Sequence, residues 1–227
     1  MSAFPLKVSG VIIDLDGTLL DTIPDLAAAA NAMLVELERP ALDVALIRTF
    51  VGKGLSNLVE RTLTASLARA PDRTLIARAQ PVFERHYVEL NGRHTAMYPG
   101  VKQGLDRLQS AGFPLGCVTN KSGRYTLPLL EQVGLAPYFR TVVSGDTLEV
   151  KKPHPGPLLH ACAALETEPR HTLMIGDSLN DTQAARAAGC PVICVSYGYN
   201  EGHDVRELDH DGLVDSLVEA AGLIERA

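Results

Sequence analysis

The run Val11-Ile12-Ile13-Asp14-Leu15-Asp16-Gly17-Thr18-Leu19 decides how this chain is read. Three successive β-branched residues form a strand buried on both faces, and glycine marks its end. Two carboxylates then stand two residues apart where the strand finishes, placed to face one point. Buried carboxylates need compensation. With 27 acidic residues in the 227-residue chain, roughly three acid-x-acid pairs arise by chance, so this pair gains meaning only from what meets it.

Short apolar runs of the same kind recur, with amphipathic stretches between them. The pattern predicts strands over Val8–Ile13, Phe113–Val118, Arg140–Val143, Thr172–Ile175 and Pro191–Val195. It predicts helices near Val101–Ser110, Arg124–Val133, Gly156–Leu165, Asn180–Ala188 and Asp211–Ile224. Such alternation gives an α/β fold, a parallel sheet with helices on both faces. From about Asp21 to Arg93 the rhythm breaks and only helices are read, over Leu26–Leu37, Val44–Phe50, Leu55–Leu67 and Leu75–Leu90, with Pro81 expected to kink or divide the last. The expected organisation is a core of residues 1–20 and 95–227, with an all-helical cap of residues 21–94 inserted after the first strand. Tethered twice beside one strand end, the cap is expected to hinge as a lid.

Composition sets outer limits. Hydrophobic residues make up 46 % and charged residues 21 %, ordinary values for a soluble protein. The net charge of −6 argues against nucleic acid or an anionic membrane as partner. No apolar run is long enough to span a bilayer, and MSAFPLKVSG carries no apolar signal core. Cys117, Cys162, Cys190 and Cys194 form no C-x-x-C pair, so reduced thiols in a cytoplasmic protein are expected rather than a zinc site. Both monomer and homodimer stay open. An anionic substrate has to be held by local positive charge or a metal.

Other strand ends supply both. After Cys117-Val118, the Thr119 hydroxyl and the Asn120 backbone can bind phosphate oxygens; an ordinary turn or helix cap is the alternative. Lys151-Lys152-Pro153-His154-Pro155 is either an anchored positive charge or a solvated basic loop. Asp177 and Asp181 bracket the turn between a strand ending at Gly176 and the next helix, where Asp177 or Ser178 can also serve as plain caps. Ligands of open α/β sheets bind outside the carboxyl ends of the strands, where Asp14, Asp16, Thr119 and Asp177 all fall and Lys152 follows closely. Carboxylates converging there repel unless a cation joins them. Oxygen-only ligands favour a hard ion such as Mg2+.

The segments DLDGTLLDT (14–22), Thr119-Asn120, Lys152-Pro153 and GDSLND (176–181) together resemble the four motifs of the haloacid dehalogenase-like hydrolase superfamily, in the expected order. The resemblance spans nearly the whole chain. It implies a Rossmann-like core with a helical cap, Mg2+ as cofactor, and the following roles. Asp14 is the nucleophile that forms an aspartyl-phosphate. Asp16 protonates the leaving alcohol and then activates water. Mg2+ is held by the Asp14 carboxylate, the Asp16 backbone carbonyl and the Asp177 carboxylate. Thr119, Asn120 and Lys152 hold the transferring oxygens, and Asp181 orients Lys152 or a metal-bound water.

Within the superfamily, the stretches 51–63, 119–135, 151–159, 176–191 and 197–202 resemble the bacterial phosphoglycolate phosphatase family, which implies hydrolysis of 2-phosphoglycolate, a small phosphate ester. Ser122 departs from the proline usual there. Lys53, between Gly52 and Gly54 in the cap, is a candidate substrate contact, with a plain helix–helix turn as the alternative. Phosphatases for phosphosugars, pyrophosphate or nucleotides, and sugar-phosphate mutases, are the alternative activities. The acid at Asp16 speaks against the dehalogenases. A phosphonate-cleaving reading needs Lys53 as a Schiff-base lysine. A non-catalytic phospho-acceptor lacks both the cap and Asp16. The run Tyr197-Gly198-Tyr199-Asn200 is expected to serve as a packing loop.

Overall fold

The β-branched run that opened the reading divides its side chains between two cores. The computed structural model describes residues 4–227, and in it Val11 and Ile13 join one hydrophobic cluster while Ile12 joins another. Leu173 and Ile175 alternate with Met174 in the same way. This period-2 division is why the strands read as unbroken apolar runs: each face of the sheet is covered.

The strands are β1 (Leu6–Val8), β2 (Gly10–Ile13), β3 (Leu20–Asp21), β4 (Ala96–Met97), β5 (Leu115–Val118), β6 (Thr141–Val143), β7 (Thr172–Gly176), β8 (Val192–Val195), β9 (Gly212–Val214) and β10 (Ile224–Arg226). The helices are α1 (Ile23–Glu36), α2 (Val44–Arg48), α3 (Leu55–Leu67), α4 (Arg73–Leu90), α5 (Val101–Ser110), α6 (Gly123–Gln132), α7 (Gly156–Leu165), α8 (Leu179–Ala188) and α9 (Leu217–Gly222). Six strands form a parallel sheet in the order β6-β5-β2-β7-β8-β9. Their carboxyl ends therefore open on one edge. β2 lies inside the sheet between β5 and β7, which sets Asp14 between the ends carrying Thr119 and Asp177.

A third cluster is built by α1 to α4, around Met33, Leu63, Phe83 and Tyr87. Two tyrosines from elsewhere in the chain, Tyr125 and Tyr199, enter it. The two joints of this helical segment pair as a short antiparallel ribbon, β3 with β4. The buried Asp25 ties them further, accepting from the backbone N–H groups of Gly92, His94 and Thr95 and from the Thr95 hydroxyl. Three orphan backbone donors in a connecting segment thereby find a charged acceptor.

Three sequence expectations change. The strand over Val8–Ile13 breaks at Ser9, whose N–H and hydroxyl both donate to the His171 carbonyl, and β1 pairs with β10 instead of joining the main sheet. The helix over Asp211–Ile224 is replaced by β9, the short α9 and β10. The Asp211 carboxylate accepts from Val192 N–H, which aligns β9 beside β8, and Ser216 caps α9 only afterwards. Pro81 does not divide its helix: α4 runs unbroken from Arg73 to Leu90 with the proline inside it. An interior proline costs about 3 kcal/mol. Burial of Phe83, Tyr87 and Ala79 on one face of α4 outweighs it, at about 1.5–3 kcal/mol for each large side chain.

Candidate active site

Asp14 leaves β2 with its backbone N–H bonded to the Ile175 carbonyl, so its position is fixed by the neighbouring strand. The chain then turns sharply. The N–H groups of Thr18, Leu19 and Leu20 all approach the Leu15 carbonyl, and Gly17 N–H donates to Leu20. Gly17 has φ +90°, and a Cβ there would lie 2.4 Å from Asp177 Oδ2. Glycine is required twice over, by the turn and by the close approach. The turn also delivers the Thr18 hydroxyl to Asp177 Oδ1 at 2.6 Å and the Thr22 hydroxyl to Asp16 Oδ1 at 2.7 Å.

At the end of β5, Thr119 N–H donates to the Val143 carbonyl. Asn120 acts as a clamp. Its amide donates to the carbonyls of Lys152 and Gly52 at 2.9 Å, and its Oδ1 accepts from Lys152 N–H at 3.0 Å. The lysine loop is thus bolted to the β5 end, and Gly52 brings the helical layer to the same point. Lys152 Nζ donates to the Val118 carbonyl at 2.8 Å and to Asp181 Oδ1 at 2.6 Å, and sits 2.8 Å from Asp14 Oδ1. Asp181 Oδ2 accepts from the backbone of Asp177 and Ser178 and from the Ser178 hydroxyl at 2.7 Å, reaching back across the first turn of α8. The other Asp177 oxygen accepts from Tyr199 N–H at 2.7 Å.

Oxygens of Asp14, Asp177 and Asp181 lie within 4.8 Å of one another, and all three side chains are buried. Burial is the largest influence on Asp14 and lifts it to about 7; Lys152 pulls it back, and Asp181 and Asp16 add to the rise. Burial, then Asp181 and Asp14, push Asp177 well above the ordinary carboxylate range. For Lys152 burial works against the charge, but Asp14 and Asp181 outweigh it and the net direction is upward.

A divalent cation fits this site. Asp14 Oδ1 is buried with the Lys152 ammonium 2.8 Å away, and the Asp177 and Asp181 carboxylates crowd the same point. Asp14, Asp16, Asp177 and Asp181 stand against two buried lysines, Lys152 and Lys121; four negative charges less two positive leave two uncompensated. Both oxygens of Asp177 and both of Asp181 already accept hydrogen bonds, and with Asp14 the three carboxylates still present oxygens within 4.8 Å of one another.

Cation binding requires ionised carboxylates, which gives a pH dependence. Ionising Asp14 and Asp177 in the metal-free fold opposes folding. Their contribution to stability therefore falls as pH rises from the ordinary value of 3.8 through about 7. Mg2+ at one hundred times its Kd should add about 2.7 kcal/mol. For this chain length that raises Tm by roughly 5–10 °C. The rise should be largest at pH 8 and nearly gone at pH 5, as followed by thermal melts with Mg2+ or EDTA.

The structure gathers Asp14, Asp16, Thr119, Asn120, Lys152 and Asp177 around one cavity. Asp181 stands behind Lys152. Lys53 is placed elsewhere: half-exposed, it pairs with Glu201 at 2.7 Å, and only its neighbours Gly52 and Gly54 line the cavity. Sequence reasoning passed over Lys121, a buried lysine whose Nζ lies 3.3 Å from Asp16 Oδ1 and donates to the Tyr87 hydroxyl. The acid-rich strand ends drew attention away from it, although it follows Thr119-Asn120 directly. Tyr199, read as loop packing, does pack, and its backbone also holds Asp177.

The fold and the cavity define the class, an α/β enzyme with a cation-ready acidic site at the carboxyl edge of its sheet. The sequence model of the haloacid dehalogenase-like hydrolases matches residues 11–195, and the chain belongs to that family. It is 55 % identical over 224 residues to a phosphoglycolate phosphatase of Nitrosospira multiformis, covering 99 % of each chain. It is 50 % identical over 227 residues to one of Thiobacillus denitrificans, covering all of both. The crystal structure of a predicted phosphoglycolate phosphatase from Haemophilus somnus superposes with TM-score 0.89 at 30 % identity, covering 98 % of each chain.

Proposed function

We propose that the protein is a Mg2+-dependent phosphomonoesterase that hydrolyses 2-phosphoglycolate to glycolate and phosphate. The observation that carries the chemistry is the Asp14 carboxylate: buried at the strand end, backed by the Lys152 ammonium at 2.8 Å and grouped with the Asp177 and Asp181 carboxylates. That describes a nucleophile held ready beside positive charge. The substrate's identity is supported by the names of the relatives.

Asp14 attacks phosphorus opposite the leaving alcohol and forms an aspartyl-phosphate. Asp16, fixed by the Thr22 hydroxyl, gives its proton to the departing oxygen and then takes one from the water that cleaves the intermediate. Lys152, anchored by Asp181 and the Val118 carbonyl, neutralises the transferring oxygens, with the Thr119 hydroxyl and Asn120 N–H beside it. Asp14, Asp177 and the Asp16 carbonyl would hold Mg2+, with Asp181 orienting Lys152. Bound there, the ion supplies further charge neutralisation for the phosphoryl group.

Residues 21–94 act as the cap. Leu26, Val51, Leu55 and Leu58 present an apolar wall to the cavity, excluding water that would otherwise weaken every charge interaction inside. The enzyme is assigned to the cytoplasm: its four cysteines are free and buried, and among the described residues no helix is long and apolar enough to cross a membrane. A panel of phosphometabolites assayed for phosphate release with and without Mg2+ tests the reading. Turnover of 2-phosphoglycolate above all others, abolished by EDTA, is expected; no Mg2+-dependent release from any ester overturns it.

A further inference from the structure

We propose that Lys121 determines specificity by holding an anionic group, a carboxylate in the reading above, carried on the carbon next to the substrate's ester oxygen. The proposal rests on the reading of Asp16 as the acid that meets that oxygen.

Two ammonium groups line the cavity, and they differ in what they have left to give. An ammonium offers three N–H donors. Lys152 has three oxygen partners already, the Val118 carbonyl, Asp181 and Asp14, and belongs to the phosphoryl end. Lys121 has two, the Tyr87 hydroxyl and Asp16 Oδ1 at 3.3 Å, which leaves one donor. Its side chain is 2 % exposed, so its charge is directed at the cavity rather than at bulk water.

Three cations of the helical layer, Lys53, Arg61 and Arg48, are committed elsewhere. Lys53 and Arg61 both bind Glu201 at 2.7 Å, and Arg48 donates to the carbonyls of Tyr197 and Gly198. The cavity lining also includes the apolar side chains of Leu26, Val51 and Leu58. Of the two ammonium groups lining the cavity, Lys121 is therefore the one with a donor left for an anionic substituent.

Position settles which substituent. The leaving oxygen must reach the Asp16 carboxyl to be protonated. Lys121 Nζ stands one long hydrogen bond from that carboxyl. A carboxylate on the carbon bonded to the leaving oxygen is two bonds further on, within the span of a group that contacts Asp16 and Lys121 together. Tyr87, fully buried on α4, fixes the ammonium from behind. An ester without the anion leaves a buried cation short of a partner, which penalises the wrong substrate.

The test compares 2-phosphoglycolate with ethyl phosphate, the same ester with a methyl group in place of the carboxylate. Both are assayed in the wild type, Lys121→Met and Tyr87→Phe. Lys121→Met should lower the ratio of kcat/KM values, phosphoglycolate over ethyl phosphate, on the order of a hundredfold. Most of that loss should appear in KM for phosphoglycolate. Tyr87→Phe, which keeps the ring and the fold, should lower the same ratio by a smaller factor, about 3- to 10-fold. It carries the test alone if Lys121→Met does not fold. An equal fall on both esters in both variants overturns the proposal, because it assigns Lys121 to Asp16 or to stability. Wild-type protein that hydrolyses neither ester fails the phosphatase reading itself, and the proposal falls with it.

Discussion

Asp14→Asn is expected to lose about a million-fold in kcat, the scale on which removal of a catalytic nucleophile acts. The change is nearly isosteric, so the surroundings stay in place: Lys152 keeps Asp181 and the Val118 carbonyl. The accompanying stability effect has the opposite sign from that of most active-site damage. Asp14 is lifted to about 7 chiefly by burial, so above that pH the folded protein carries a charge it would rather neutralise. The amide removes this burden. Metal-free Asp14→Asn should melt no lower than the wild type at pH 8, while its response to Mg2+ shrinks. Phosphate release assays and thermal melts on the same samples check both halves; residual turnover within tenfold of wild type contradicts the role.

Lys152→Met is expected to damage the fold as well as the chemistry. The ammonium is buried between Asp14 and Asp181, and removing it leaves both carboxylates without their cation. Breaking a buried ion pair from one side costs about 3–5 kcal/mol. Activity should fall roughly 10²–10³-fold through lost neutralisation of the transferring oxygens. The sign of the pH effect follows from Asp14 and Asp177, whose protonated forms the fold prefers. Lowering the pH toward 5 neutralises the orphaned carboxylates and should recover part of the lost stability. In a double-mutant cycle, Asp14→Asn combined with Lys152→Met should destabilise by clearly less than the sum of the two, since the first change removes part of what the second leaves unpaired. Urea unfolding at two pH values measures all of this.

The fold, and the placement of Asp14 and Asp177 at its strand ends, were legible because strand ends advertise themselves. Ile12-Ile13-Asp14 and Met174-Ile175-Gly176-Asp177 each pass from an apolar run to an acid within a residue or two, and a parallel sheet sets such transitions along one edge. The helical segment between β3 and β4 was legible for a similarly local reason, the loss of period-2 runs. What escaped depends on partners distant in the chain. Lys121 gains its meaning from Tyr87, 34 positions away, and from Asp16, 105 positions away. Thr18 matters through Asp177, and Asp25 through three backbone groups near residue 94. Nothing in the local pattern of these residues separates them from ordinary helix and turn positions. The misread C-terminal stretch has the same origin: Gly212–Val214 is a strand because β8 offers an edge, not because of any strong pattern of its own.

The account stands on Asp14 taking the phosphoryl group. The most direct test uses Asp16→Asn with p-nitrophenyl phosphate and Mg2+. p-Nitrophenolate leaves without needing a proton, so the first step should proceed while the second, which needs Asp16 as base, stalls. We expect a burst of one nitrophenolate per protein molecule. Mass spectrometry of the quenched sample should then find one phosphoryl group, carried on the peptide at Asp14. A phosphoryl group on any other residue, or continued product formation with Asp14 unmodified, would contradict the account.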